Sequence, residues 1–156
     1  MPVTKKTKTD LVNSAIHYLK FRPRSEHEIK SHLTKKTKDQ NLIEDTISYL
    51  KELKLINDAE FIDWFIKGRL KQLKGPRLIS YELALKFKTP RDLVTTAISK
   101  ISSDDLTRAA QKALDKKLRL FAKYPQNQQK LRAYKHLYQR GFTKETIYAA
   151  IDEQGL

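Results

Sequence analysis

The stretch DAEFIDWFIKGRLKQLKGPRLISYEL, residues 58–83, holds a helix, a sharp turn and the start of a second helix. Asp58 is a capping residue type, and Glu60 and Asp63 put negative charge in the first turns. Lys67, Arg69, Lys71 and Lys74 put positive charge toward the other end, the polarity that a helix dipole favours. Phe61, Ile62, Phe65, Ile66, Leu70 and Leu73 recur at spacings of three and four, an apolar stripe wide enough to need partners on more than one side. The spacing therefore predicts a central helix with Asp58 as its N-cap. Gly75 is expected to end it, and Pro76, with a preset φ and no N–H to lose, to open the next helix at its first position.

The same order of elements recurs on both sides. Upstream, Leu11, Ala15, Ile16 and Leu19 predict a short helix that ends before Pro23; Ser25 and Glu28 form a capping box, with Ile29 and Leu33 behind it. After a polar break at residues 37–40, Leu42, Ile43, Ile47, Leu50 and Leu53 predict a third helix. In the middle stretch a third helix starts at Thr89 and Pro90 and carries Leu93, Val94, Ala97 and Ile98. Downstream, a helix from Asp104 or Asp105 carries Leu106, Ala109, Ala110, Leu114 and Leu118. Pro125 opens the next, Gly141 closes it, and Thr143 caps a last helix with Ile147, Ala150 and Ile151.

Leu33, Leu83 and Leu137, like Ile43, Val94 and Ile147, match at a period near fifty residues, which marks an internal repeat. The expected fold is all-α: three tandem three-helix repeats, 10–57, 58–102 and 103–156, in an elongated, curved array. Residues 1–9 read as a disordered basic arm. The alternative is one nine-helix globule with segments of similar length; the recurring caps and apolar offsets favour the repeat.

Four Gly, five Pro and 32% charged residues suit helices better than a turn-rich β fold. Thirty-two Lys and Arg against eighteen Asp and Glu leave a net charge of +14. It is spread evenly, as +5, +4 and +5 over 1–57, 58–102 and 103–156. Such a chain is drawn to polyanions: nucleic acid, an acidic protein surface or anionic lipid. No cysteine is present, no apolar run reaches the length of a membrane span, and the first residues lack the apolar core of a signal peptide. The chain reads as a soluble cytoplasmic monomer.

Catalytic signatures are missing. Gly75-Pro76-Arg77 lacks the Lys-Ser or Lys-Thr of a phosphate loop, and its proline removes a backbone donor. His27 and His32 are five residues apart, which turns their side chains about 140° from each other on a helix and argues against a shared metal. Carboxylates sit mainly at helix starts, with no nucleophile or base arranged beside them. The chain is expected to be no enzyme and to need no cofactor or metal.

The basic residues are the better lead. The simplest reading of any single lysine is a solvated face, but clusters recur at corresponding turns: Arg22 and Arg24, then Lys67, Arg69, Lys71, Lys74 and Arg77, then Arg119 and Lys123. Stacked repeats could line them up along one rim as a contact set for an anionic partner. Reading of DNA bases by helix-turn-helix units is disfavoured. The relevant helix starts carry Glu44 and Asp45, Arg91 and Asp92, and Lys144 and Glu145, whose acids repel phosphate. Nonspecific attraction to the backbone stays open. Tyr18, Tyr49, Trp64, Tyr81, Tyr124, Tyr134, Tyr138 and Tyr148 could stack on bases, although helical spacing assigns most of them to core or groove.

Leu55-Ile56-Asn57-Asp58 with Phe61, Phe65-Ile66 and Arg69, followed by Lys74-Gly75-Pro76-Arg77, Ile79 and Glu82-Leu83, resembles the RecX regulatory family. Arg24-Ser25-Glu26 with Glu28-Ile29 and Leu33, and Arg140-Gly141-Phe142-Thr143 with Ile147 and Ile151, extend the likeness over nearly the whole chain from Leu11. The resemblance implies three tandem three-helix repeats and a non-enzymatic modulator of the RecA recombinase. Such a protein lies in the groove of the RecA filament on single-stranded DNA and inhibits its ATPase, strand-exchange and coprotease activities. Leu85-Lys86-Phe87-Lys88 departs from the Lys-Gly pair usual there and makes the second unit one residue longer. Some relatives carry an extra N-terminal region that these residues do not contain. The different-class alternative is a nonspecific basic protein that coats DNA.

Overall fold

Short-range capping chemistry sets most helix starts. In the computed structural model, which describes residues 4–156, the helices are α1 (Lys8–Leu19), α2 (Glu26–Thr34), α3 (Gln40–Glu52), α4 (Asp58–Lys71), α5 (Pro76–Leu85), α6 (Arg91–Ser99), α7 (Ser103–Phe121), α8 (Gln126–Gln139) and α9 (Lys144–Glu153). There is no strand among the described residues. Ser25 accepts the Glu28 N–H at 3.2 Å, while the Glu28 carboxylate accepts the Ser25 N–H at 3.0 Å, the reciprocal box expected for α2. Pro76 occupies the first position of α5, and Thr143 caps α9.

Three local expectations are corrected. Asn57, not Asp58, is the N-cap of α4, its side chain accepting the N–H groups of Ala59 and Glu60. Asp58 is drawn away by a distant donor, the Glu26 N–H at the start of α2, 2.8 Å from its carboxylate. Gly75 does not terminate α4. Leu73 takes the left-handed conformation at φ 59°, and the Lys74 N–H closes on the Arg69 carbonyl at 3.0 Å. The basic arm is shorter than expected: α1 already includes Lys8 and Thr9, held by a capping box between Thr7 and Asp10. Residues 1–3 of that arm lie outside the described residues.

Each helix triplet closes its own core. The first buries Leu11, Ala15, Ile29, Leu33, Ile43 and Leu50; the second Phe61, Ile62, Phe65, Ile79, Leu83 and Val94; the third Leu114, Ala133, Leu137, Phe142, Ile147 and Ile151. The repeat-matched leucines Leu33, Leu83 and Leu137 are all fully buried. Extensive helix–helix contacts fall within triplets, α1–α3, α4–α6 and α7–α9. The chain is thus a tandem array of three-helix units. It exposes 10323 Å², against about 8,100 Å² for a compact protein of this mass, as an elongated array should.

Helix α4 is central, touching both neighbours. Its first residue meets α2 through Asp58, and Leu73, just past its end, packs against the third core. Beyond it, the Gly75 N–H donates to the Arg140 carbonyl at 2.7 Å and the Arg77 N–H to the Gly141 carbonyl at 2.9 Å. The turn between α4 and α5 is thereby fastened to the turn between α8 and α9.

Candidate functional site

Two carboxylates organise the basic residues of the first two units. Arg22, in the α1–α2 link, donates to both oxygens of Glu28, and Arg24 approaches the same carboxylate at 3.7 Å while its guanidinium lies 3.8 Å from the centre of the Tyr18 ring. In the second unit the Arg69 Nε donates to Glu82 at 2.7 Å, and the Lys74 Nζ reaches the other oxygen of Glu82 at 3.4 Å. Each acid therefore fixes two cations and leaves one net positive charge. These pairs are partly shielded from water, where charge-assisted hydrogen bonds hold geometry better than at an open surface.

Between the two brackets runs a groove of about 290 Å³ lined by Arg22, Trp64, Phe65, Gly68, Arg69, Gln72, Lys86 and Phe87. The Arg22 guanidinium lies 5.5 Å from the Trp64 ring centre, and that of Arg69 lies 4.6 Å from Phe65. The sequence departure at residues 85–88 helps to build this wall. Phe87 turns inward against Phe61 and Phe65, Lys88 adopts φ 50°, and the Thr89 N–H closes on the Leu83 carbonyl, six residues back. The corresponding bonds after α3, α4, α8 and α9 span five. The extra residue is absorbed there, and Lys86 lines the groove.

The nine basic residues singled out in the sequence divide into three sets. Arg22, Arg24, Arg69 and Lys74 make up the two brackets, and Arg22 and Arg69 also line the groove between them. Arg77 faces the third unit, with its Nη1 3.2 Å from the Tyr138 carbonyl and its guanidinium 3.9 Å from the Tyr138 ring centre. Lys67, Lys71, Arg119 and Lys123 are exposed and form no ion pair among the described residues. Lys71 lines a second groove with Arg108, Lys112 and Lys116. The bracketing roles of Glu28 and Glu82 escaped sequence reading, which saw Glu28 only as a cap. Gly68 and Lys86 escaped it as groove residues, whereas Trp64 was among the aromatics named for base stacking, core or groove. A glycine inside an otherwise regular helix was the available signal.

Burial shifts three groups nearby or in the same fold. Asp58 is raised above the ordinary carboxylate value by burial at the joint, partly offset by the Glu26 N–H. His32 stacks on Tyr18, contacts the Ser14 hydroxyl at 2.9 Å, and is held below the ordinary imidazole value by burial and then by Lys36, Lys35 and Arg24. His136 is lowered chiefly by burial. No helix among the described residues is long and apolar enough to cross a membrane.

The family model for the first three-helix domain of RecX matches residues 12–50, and that for the third three-helix domain matches residues 103–151. The chain belongs to the RecX family. Regulatory protein RecX of Bacillus subtilis (strain 168) is 34% identical over 90% of this chain and 53% of its own length. That of Listeria monocytogenes serovar 1/2a (strain ATCC BAA-679 / EGD-e) is 33% identical over 91% and 53%. The chain thus spans about half the length of the curated RecX proteins it matches. The crystal structure of RecX from Lactobacillus salivarius superposes with a TM-score of 0.89 at 19% identity, covering 95% of this chain and 96% of that one. A second regulatory protein RecX structure gives 0.83 at 18% identity, over 93% and 73%. The first and third matched domains coincide with the first and third cores, and the superpositions carry the fold through the middle unit as well.

Proposed function

We propose that this chain is a non-enzymatic regulator of the RecA recombinase, acting as a monomer that docks along the RecA filament on single-stranded DNA and lowers its ATPase, strand-exchange and coprotease activities. The observation that carries this reading is membership of a family of regulatory proteins over nearly the whole chain. An elongated array of +14 net charge suits an extended anionic partner. The contact surface is the edge of the first two units with the exposed α4 lysines: Arg22, Arg24, Lys67, Arg69, Lys71 and Lys74. Arg77, Arg119 and Lys123 extend it toward the third unit.

The test is RecA ATP hydrolysis on one defined single strand. Reversing Arg69 or Lys74 would set a new acid beside Glu82 and disturb the fold. Lys67→Glu with Lys71→Glu is the cleaner change, because neither side chain forms an ion pair among the described residues. The parent chain is expected to slow hydrolysis and the double variant to slow it several-fold less; full inhibition by the variant removes these lysines from the contact set, and no effect of the parent defeats the reading. The net charge also favours a DNA-coating protein. Coating requires tight binding to DNA without RecA, falling steeply with salt.

A further inference from the structure

Gly68 lies in the interior of α4, where glycine is less stable than alanine by about 1 kcal/mol. Nothing among the described residues accounts for it. A Cβ built at Gly68 meets no atom within 4 Å, so neither tight packing nor a close backbone demands its absence. What its absence does is leave the floor of the groove between the first and second units open, one turn along from Trp64 and beside Arg69 and Gln72. An indole 41% exposed and three cations, Arg22, Arg69 and Lys86, surround that floor. The nearby carboxylates, Glu28 and Glu82, are already each shared by two cations, so the wall stays net positive.

We propose that this groove binds single-stranded nucleic acid, with phosphates at Arg22, Arg69 and Lys86, one base against Trp64, and the strand passing over the bare backbone at Gly68. The surface answers two features at once, negative charge and a planar face; an acidic polypeptide would use the cations and leave the indole idle. The inference deepens the reading above by naming the polyanion that meets this edge, and its test needs no RecA.

Trp64 is the single tryptophan of the chain, so its emission reports on the groove alone. Titration of the full chain with an oligothymidylate should quench that emission saturably, and salt should reverse it. Gly68→Ala and Gly68→Gln should melt no lower than the parent, since both are better helix formers. Gly68→Gln, which fills the floor, should weaken binding by about tenfold, the loss expected when one stacked base is displaced. Absence of quenching, or equal quenching in Gly68→Gln, overturns the proposal. So does a polyglutamate of matching charge that shields Trp64 as strongly, which would assign the groove to acidic protein segments. Inhibition of RecA without quenching would leave the regulatory reading standing and sink this one; quenching without inhibition would do the reverse.

Discussion

Among the described residues three other than glycine hold positive φ, Lys54 at 56°, Leu73 at 59° and Lys88 at 50°, and they serve different ends. Lys54 follows α3, where the Leu55 N–H closes on the Leu50 carbonyl at 2.9 Å, the place at which helices favour glycine. Its side chain is exposed, so left-handed strain there is offset by no packing. Lys54→Gly is expected to stabilise the chain by about 0.5–1 kcal/mol, the relief of that strain less the entropy glycine loses on folding. A urea midpoint unchanged or lowered would contradict this. Leu73 has the same backbone conformation but packs against the third core, so Leu73→Gly should destabilise the chain by about 1 kcal/mol, as lost burial outweighs the relief, and lower the midpoint accordingly. The opposite signs at one conformation separate strain that is merely tolerated from strain held in place by packing.

At the scale of elements, the decisive contact joins two turns distant in sequence. A Cβ on Gly75 would stand 2.4 Å from the Gly141 carbonyl carbon and from the Phe142 nitrogen, and a Cβ on Gly141 would stand 2.5 Å from the Leu78 Cβ. Both contacts involve backbone or the root of a side chain, which cannot swing aside. Gly75→Ala is therefore expected to cost about 1–3 kcal/mol, the usual penalty for overpacking. Hydrogen exchange should show the loss at the Gly75 and Arg77 amides, and unaltered protection there would refute the fastening. Sequence reading found Gly75, Pro76 and Gly141 but gave the first the wrong task, because helix termination is a local pattern while apposition of two turns is not. The same division runs through the rest. Ser25 with Glu28, and Thr143, were legible because each cap is satisfied within three residues. Asn57 lost out to Asp58 because the preference of Asp58 for the Glu26 N–H is a tertiary fact. The basic residues were legible as clusters. Their pairing was not, since Glu82 lies thirteen residues beyond Arg69 and joins it only when α5 folds back on α4.

For the whole molecule, separate cores joined at narrow contacts imply that a stress on one unit need not reach the next, the behaviour of repeat arrays whose units touch only neighbours. Acid supplies a selective stress. Of the four histidines, three lie in the first unit and one in the third; the second has none. His32 and His136 are held below the ordinary value of 6.5, each chiefly by burial. As pH falls through that value the unfolded chain takes up protons that the folded chain refuses, so stability present at neutral pH is lost toward each folded pKa. Asp58 complicates the first joint in the opposite sense, because burial raises its carboxyl and its protonation at lower pH relieves a desolvated charge. The third unit therefore gives the clean comparison with the second. Hydrogen-exchange protection factors taken at about pH 7 and about pH 5.5, across the imidazole range, should fall in α7–α9 and hold in α4–α6. His136→Gln should remove much of the change from the third unit. Equal losses in the second and third units would mean that the fastening at Gly75 and Gly141 couples them into one cooperative body, and independent unfolding of the two would have to be given up.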